Sequence, residues 1–299
     1  YLMFYLFFRS RLSLGKYFLK NKYHKIEKGY LHFVDAMIAV ANKDNKTALK
    51  SHKKMVSYLK DDPSLSLLLK SEVLKIEKKF PELNNIYEDM IKSKKTETLG
   101  YRGLMEQNLR NQDYHHAFLY GEKLFSINPN IEKLYDTLIF IAAKTKNWNQ
   151  IVLLSDKAFS HKIISKNDLN ENKSVGFYEI AKIKYDSDIK DSLKNILKAL
   201  DLKKNFPPYV KLHLEIIAGL NDKRNLKKLI KKYWSLNPSS LLRSIIIKIL
   251  NDNDLTDVKF INEIIKNNAG EEESKKLLIY FAIKNLKWDI ARESVTGMI

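Results

Sequence analysis

The chain has 299 residues, of which 44% are hydrophobic, so it can bury a sizeable core and is not a disordered chain. Only 9 glycines and 6 prolines interrupt it, fewer than an all-β or a doubly wound α/β protein of this length needs for its turns. Cysteine is absent, which excludes disulfides, thiolate zinc sites and cysteine nucleophiles.

Basic residues outnumber acidic ones by 53 to 35, which gives a net charge of +18. A balance of this kind raises nucleic acid or an anionic membrane surface as a partner. The excess is mostly lysine, however, and most aromatic residues fall on predicted core positions of helices. A nucleic-acid groove combines arginine with exposed aromatic side chains. The sequence therefore predicts a protein without a nucleic-acid partner.

The chain begins with an unbroken apolar run at 1–8. A basic cluster follows, with the single acid Glu27 among Arg9, Arg11, Lys16, Lys20, Lys22, Lys25 and Lys28. A membrane span needs about 20 apolar residues. Because the first residue is not Met, we expect missing upstream sequence and interpret 1–8 as the C-terminal end of a transmembrane helix. The alternative is a short apolar helix that packs on the first repeat.

Under the membrane interpretation, 9–29 is a basic juxtamembrane helix. The positive-inside rule then places the remaining segment, 30–299, on the cytoplasmic side of the membrane.

A repeat dominates the segment 30–299, and its clearest unit runs over 101–129. This unit resembles the tetratricopeptide pattern. The matching residues are the large aromatic Tyr101, Leu104 three positions later, Tyr114 in the inter-helix turn, the small residues Ala117 and Gly121, and the terminal Pro129.

The repeat extends in both directions from Ala117. Ala48, Leu83, Ala117 and Ile151 follow one another at steps of 35, 34 and 34 residues, against a tetratricopeptide period of 34. Further matches are Leu226 with Pro238, the stretch from Trp148 through Ala158, and Trp288 with Ala291. We therefore predict an all-α, tetratricopeptide-like α-solenoid of about seven to eight helical hairpins.

Packing explains these residue types. Small anchors let two helices approach closely, and we expect the aromatics Tyr101, Tyr114, Trp148 and Trp288 to fill the wedge between pairs. The alternative, a ligand box made of these aromatics, is not needed to explain their spacing. Pro81, Pro129 and Pro238 are predicted to mark pair boundaries, and the polar segment 162–174 is predicted to be an insertion.

The sequence gives little support for a catalytic, metal-binding or cofactor-binding site. The adjacent His115 and His116 point about 100° apart on a helix and do not suit one metal ion. No glycine falls in a dinucleotide or phosphate-binding motif, and the Gly-x-Ser-x-Gly motif is absent. The acids at 271–273 suit a helix N-terminus. We predict no enzyme activity, no metal and no cofactor.

The order of features resembles the HemY family, bacterial inner-membrane tetratricopeptide proteins associated with protoheme synthesis. The matching segments are Gly29-Tyr30-Leu31 with the small residues and polar turn up to Ala48, Leu99-Gly100-Tyr101-Arg102-Gly103-Leu104, Phe206-Pro207-Pro208-Tyr209, and Trp234 four residues before Pro238. Members of that family carry two membrane helices before the basic segment and extend beyond the position of Ile299, so we expect this chain to be a fragment.

The resemblance implies a scaffold tethered to the bacterial inner membrane, with its solenoid on the cytoplasmic face and protein partners that include enzymes of the tetrapyrrole pathway. An alternative is a generic tetratricopeptide interaction protein of another cell-envelope assembly. A third, enzymatic hypothesis requires a buried, perturbed acid or histidine in a pocket.

Overall fold

The computed structural model describes the backbone of residues 2–59 and 63–296, and the side chains of these residues apart from 2 and 4–16. These residues form sixteen α-helices and no strand, which confirms the predicted all-α class. The helices are α1 (Leu2–Ala41), α2 (Asn45–Tyr58), α3 (Pro63–Glu77), α4 (Phe80–Met90), α5 (Glu97–Arg110), α6 (Tyr114–Ile127), α7 (Leu134–Lys144), α8 (Trp148–Ser160), α9 (Lys166–Lys184), α10 (Ile189–Leu202), α11 (Pro207–Gly219), α12 (Lys223–Leu236), α13 (Ser240–Asp252), α14 (Val258–Ile265), α15 (Glu272–Lys284) and α16 (Trp288–Thr296).

Two compact units divide the chain, unit 1 at Tyr1–Thr145 and unit 2 at Lys146–Ile299. In unit 1, each helix from α2 to α7 packs against the helix before it, and α1 also contacts α3. In unit 2, the helices from α8 to α12 pack in the same consecutive way, and α11 contacts α13, α12 contacts α14 and α13 contacts α15. Contacts between alternate helices are typical of stacked hairpins. Both units therefore have the architecture of a tetratricopeptide-like α-solenoid.

The second helix of each successive pair begins in the same way. The fourth residue after the one that precedes the helix is buried, with a side chain at most 6% exposed, and it packs into the core. Its backbone amide donates to the carbonyl of that preceding residue. The buried residues are Ala48, Leu83, Ala117, Ile151, Ser192, Leu226, Ile261 and Ala291.

A left-handed residue closes most of the turns that lead into these second helices. Lys43, Lys78, Gln112, Lys146, Asn221 and Leu286 have φ between 54° and 58°. Before α6, the amide of Asp113 donates to the carbonyl of Asn108 at 2.9 Å, a bond that spans five residues. This is the Schellman type of helix ending. The Asp113 side chain then caps α6 by accepting a hydrogen bond from the amide of His116 at 3.1 Å.

The repeat-defining residues fall on these hairpins with different exposures. Leu104 and Ala158 are buried, at 2% and 0% exposed, and Gly121 is buried as well. Tyr101, Tyr114 and Trp148 are half-buried. Pro129 and Pro238 are half-buried and lie in the connections from α6 to α7 and from α12 to α13.

Two expectations need correction, and the predicted insertion at 162–174 can be located. Trp288 is 54% exposed, so among the described residues it does not fill a wedge between pairs. Pro81 lies in the first turn of α4, where a missing amide costs no hydrogen bond, and so it starts a second helix. The segment 162–174 is mostly helical, because the 19-residue α9 absorbs the extra length.

Helix α1 runs without a break through the predicted juxtamembrane segment and into the first hairpin. The side chains of Arg9, Arg11 and Lys16 lie outside the described residues, as do most of those at 1–8, whereas Lys20 and Lys22 are exposed. No helix in the described part of the chain is long and apolar enough to cross a membrane.

Candidate functional site

Two adjoining grooves in unit 1 form the candidate site. The smaller groove, of about 210 Å³, lies between α3, α4 and α5. The larger, of about 370 Å³, lies between α5, α6 and the start of α7. Both are lined by Arg102 and Glu106 of α5, so we treat them as one surface and call it the first-helix groove.

The first-helix groove takes its name from α3, α5 and α7, the first helices of three successive pairs. Their side chains reach it at positions one repeat apart. Glu72 and Glu106 are 34 residues apart, and so are Gly103 and Thr137. The repeat that builds the core therefore also places equivalent side chains along the groove.

Two ion pairs line the first-helix groove. Arg102 Nε donates to Glu106 Oε1 at 2.9 Å, and the two side chains are 56% and 42% exposed. Lys75 Nζ donates to Glu72 Oε1 at 2.7 Å. Exposed pairs of this kind contribute only about 0 to 1 kcal/mol to stability. Their charged groups are therefore available to exchange partners with a bound molecule.

Lys75 and Tyr87 are electrostatically linked at the smaller groove. Burial lowers the pKa of Lys75, but the hydrogen bond to Glu72 and the charges of Tyr87 and Glu72 together outweigh burial, so this pKa is raised overall. Burial raises the pKa of Tyr87, and the neighbouring Lys75 opposes that rise. The Lys75 Nζ lies 6.0 Å from the centroid of the Tyr87 ring. At neutral pH the groove thus presents an ammonium group beside a neutral phenol.

Gly103 determines how closely the Tyr87 ring approaches α5. Tyr87 is 4% exposed, and a Cβ atom on Gly103 would lie 2.3 Å from its Cζ. Any larger side chain would displace the ring from the base of the smaller groove. Apolar side chains of the larger groove, Met105, Leu109, Leu124, Ile131 and Leu134, add a hydrophobic lining.

The predicted repeat residues support this surface without lining it. Leu104 belongs to the core cluster that holds Tyr87. Tyr101 lies 6.4 Å from Tyr120, and Tyr114 lies 6.5 Å from Phe140, measured between ring centroids. The aromatics of unit 1 therefore pair along adjacent helices and do not form one ligand box.

Sequence reasoning missed the groove-lining residues Glu72, Lys75, Arg102 and Glu106. The only signal for them was the 34-residue step from Glu72 to Glu106, which a solvated helix face also produces by chance. Their role became visible only when the helix packing placed them around a concave surface.

A buried histidine in unit 2 bears on the enzymatic hypothesis. His213 is 5% exposed and its Nδ1 lies 2.7 Å from the Tyr233 hydroxyl. Burial and the charge of Lys232 lower the pKa of His213 to about 4, and burial raises that of Tyr233 to about 12. The adjoining cavity holds only about 10 Å³, too small for a substrate. The pair therefore serves packing, since each group satisfies the other.

Metal-binding geometry is likewise missing from the described part of the chain, where no cluster of three or more His, Asp and Glu residues could hold an ion. His116 Nδ1 lies 2.7 Å from Asp113 Oδ2, so this histidine belongs to the capping arrangement of α6.

No protein-family model and no curated protein matches the chain. Among solved structures, Naa15/Naa10 bound to HypK-THB is similar with a TM-score of 0.49 and 15% identity, over 90% of this chain and 41% of that chain. A tetratricopeptide repeat protein from Parabacteroides merdae is similar with a TM-score of 0.40 and 12% identity, over 85% and 99%. The TPR2AB domain of yeast Sti1 in its pHSP90 complex is similar with a TM-score of 0.37 and 9% identity, over 80% and 98%.

The helix pairs and their buried anchors, spaced near 34 residues, define the class of this protein as a tetratricopeptide-like helical repeat protein. Repeat proteins of this architecture use extended surfaces to hold other proteins.

Proposed function

We propose that this chain is a scaffold that binds a protein segment in the first-helix groove of unit 1. The observation that carries the proposal is that Arg102 and Glu106 line both grooves, which adjoin each other along α5. Two adjoining grooves over three first helices could together accommodate an extended peptide. The apolar lining supplies burial, and the weak ion pairs supply groups of both signs.

The proposal extends to the setting of the scaffold. The segments that resemble the HemY family support a role in heme metabolism at the bacterial inner membrane, with the solenoid on the cytoplasmic face. On α1, the exposed aromatics Tyr17, Phe18 and Tyr23 alternate with exposed lysines, among them Lys20 and Lys22. Aromatic and basic side chains together are typical of segments at a membrane interface, which supports tethering through the N-terminal region.

The groove is tested with the full chain as bait on detergent-solubilised membranes. We expect Arg102→Ala/Glu106→Ala to lose the captured protein. The matched control is Asp89→Ala/Lys92→Ala, because these residues form an exposed ion pair of 2.7 Å in unit 1 that lines neither groove. Equal capture by both double variants would contradict the proposal.

The pathway is tested separately. Capture of a tetrapyrrole enzyme, together with altered heme or porphyrin levels after deletion of the gene, supports the heme assignment. Capture dominated by envelope proteins with unchanged porphyrins would replace it with a scaffold of another cell-envelope assembly, while leaving the groove itself supported.

A further inference from the structure

Helices α10 and α12 of unit 2 carry the same row of cations. Lys190, Lys194 and Lys198 on α10 are followed 34 residues later by Arg224, Lys228 and Lys232 on α12. All six side chains are exposed. Both helices are second helices of their hairpins, and both pack against α11. We call these six residues the double basic row.

Spacing along each helix is regular. Positions four residues apart lie about 6 Å apart along a helix axis and on one face of it. Each row therefore presents three positive charges at a pitch of about 6 Å. Because the two rows occupy equivalent repeat positions, they present the same pattern twice in consecutive hairpins.

The positive charges are not neutralised internally. None of the six residues forms an ion pair with a carboxylate of the described residues, and Lys198 contacts only the ring of Phe177, 5.0 Å from its Nζ. Helix α12 contains no acid, and α10 contains Asp191 and Asp201. The positive charge of Lys232 also acts on the buried His213 and helps to lower its pKa.

The fold contains one example of a carboxylate paired with a lysine of α12 beside the row. Lys231 of α12 forms an ion pair with Glu263 of α14, so a neighbouring helix of the chain places a carboxylate against the α12 lysines. Carboxylates four residues apart on a helix have the same pitch of about 6 Å as the double basic row. A helix with acids at i, i+4 and i+8 therefore has the pitch of the rows, and a helix that lay between the two rows would bring each acid near a cation of both.

Other polyanions fit the surface less well. The aromatic residues of α12, Tyr233 and Trp234, are buried, so no ring is available to stack on a base or to enter a lipid interface. Five of the six cations are lysines, whose single ammonium group does not read base edges as the arginine fork does.

We propose that the double basic row is a second docking surface, which binds an acidic helical segment of a partner protein. The inference rests on the proposed role as a protein-binding scaffold, but concerns a surface in unit 2 and not the first-helix groove.

The test uses the full chain and a labelled alanine-based peptide of about 20 residues with glutamates at i, i+4 and i+8, long enough to be helical. Fluorescence anisotropy measures its affinity at low and high salt. We expect Arg224→Glu/Lys228→Glu/Lys232→Glu to weaken binding about tenfold or more, and Lys190→Glu/Lys194→Glu/Lys198→Glu to do the same. Circular dichroism verifies that both triple variants remain helical.

A matched control exists on α2, where Lys46, Lys50 and Lys54 form an equally spaced and exposed row. The equivalent positions on α4 are Pro81, Asn85 and Asp89, so this row is single. We expect its charge reversal to change the affinity less than about twofold.

Three results would overturn the inference. One is equal loss in the α2 control, and another is equal binding of a peptide with the same composition but scrambled glutamates. The third is that phosphatidylglycerol vesicles or duplex DNA bind more tightly than the glutamate peptide, and that the same α10 and α12 variants abolish this binding. Arg102→Ala/Glu106→Ala should leave the peptide affinity unchanged, so failure of the groove proposal is distinguishable from failure of this one.

Discussion

The Tyr233 hydroxyl and the His213 imidazole form a buried hydrogen-bonding pair of 2.7 Å between α12 and α11. Since Tyr233 remains protonated to a pKa of about 12 and His213 remains neutral down to about 4, the pair is uncharged over the physiological range. Two neutral partners satisfy each other without the cost of burying a charge.

The pair makes the stability of unit 2 sensitive to acid. The pKa of His213 is about 4 in the folded chain, below its ordinary value of 6.5, so the unfolded chain binds the proton more readily. The stabilisation is therefore present above pH 6.5 and is lost as pH falls toward 4. The expected loss is about 3 kcal/mol in the free energy of unfolding.

Urea unfolding at pH 7 and pH 4.5, followed by tryptophan fluorescence, measures most of this loss, because Trp148, Trp234 and Trp288 all lie in unit 2. His213→Leu/Tyr233→Phe removes both polar groups and should flatten the dependence on pH. If the free energy of unfolding of the double variant depended on pH just as steeply, the acid sensitivity would come from carboxylates elsewhere in the chain.

Gly103 is predicted to be essential for the packing of Tyr87. Gly103→Ala places a methyl group 2.3 Å from the Tyr87 ring, so the ring or α5 must shift. We expect a loss of about 1 to 3 kcal/mol, measured by thermal unfolding followed by circular dichroism. Gly270→Ala is the control, since no atom lies within 4 Å of its Cβ, and a similar loss there would refute the steric explanation.

The left-handed residue at the turn between α5 and α6 offers a stabilising substitution. Gln112 has φ of 58°, which strains any residue with a Cβ atom. We expect Gln112→Gly to stabilise the chain by about 1 kcal/mol in the same thermal measurement. The neighbouring Asn111 has φ of −81°, so Asn111→Gly should not stabilise it. A gain of equal size at both positions would argue against relief of strain.

The period of the sequence predicted the hairpins because small or apolar residues recur where second helices meet the core, as at Ala48 and Ala117. Exposure was harder to predict. Trp148 and Trp288 occupy the same repeat position, yet their exposure depends on the neighbouring helices, which the sequence pattern does not specify. His213 is buried because its helix is apolar on nearly every side, which a search for histidine clusters does not detect.

The groove residues were beyond the same reasoning for a different physical reason. Arg102 and Glu106 are four residues apart on one helix, a spacing typical of ordinary surface ion pairs. Only the packing of α3, α5 and α7 shows that this pair lies between two concave surfaces.

The most direct test of the central claim is photo-crosslinking of the full chain in cells that produce it. Thr137 lines the larger groove, whereas Lys123 is exposed on α6 and lines neither groove. With a photoreactive amino acid at each position in turn, we predict a protein adduct of defined mass from position 137 that is absent from position 123. Equal crosslinking at both positions, or none at position 137, would contradict a protein partner in the first-helix groove.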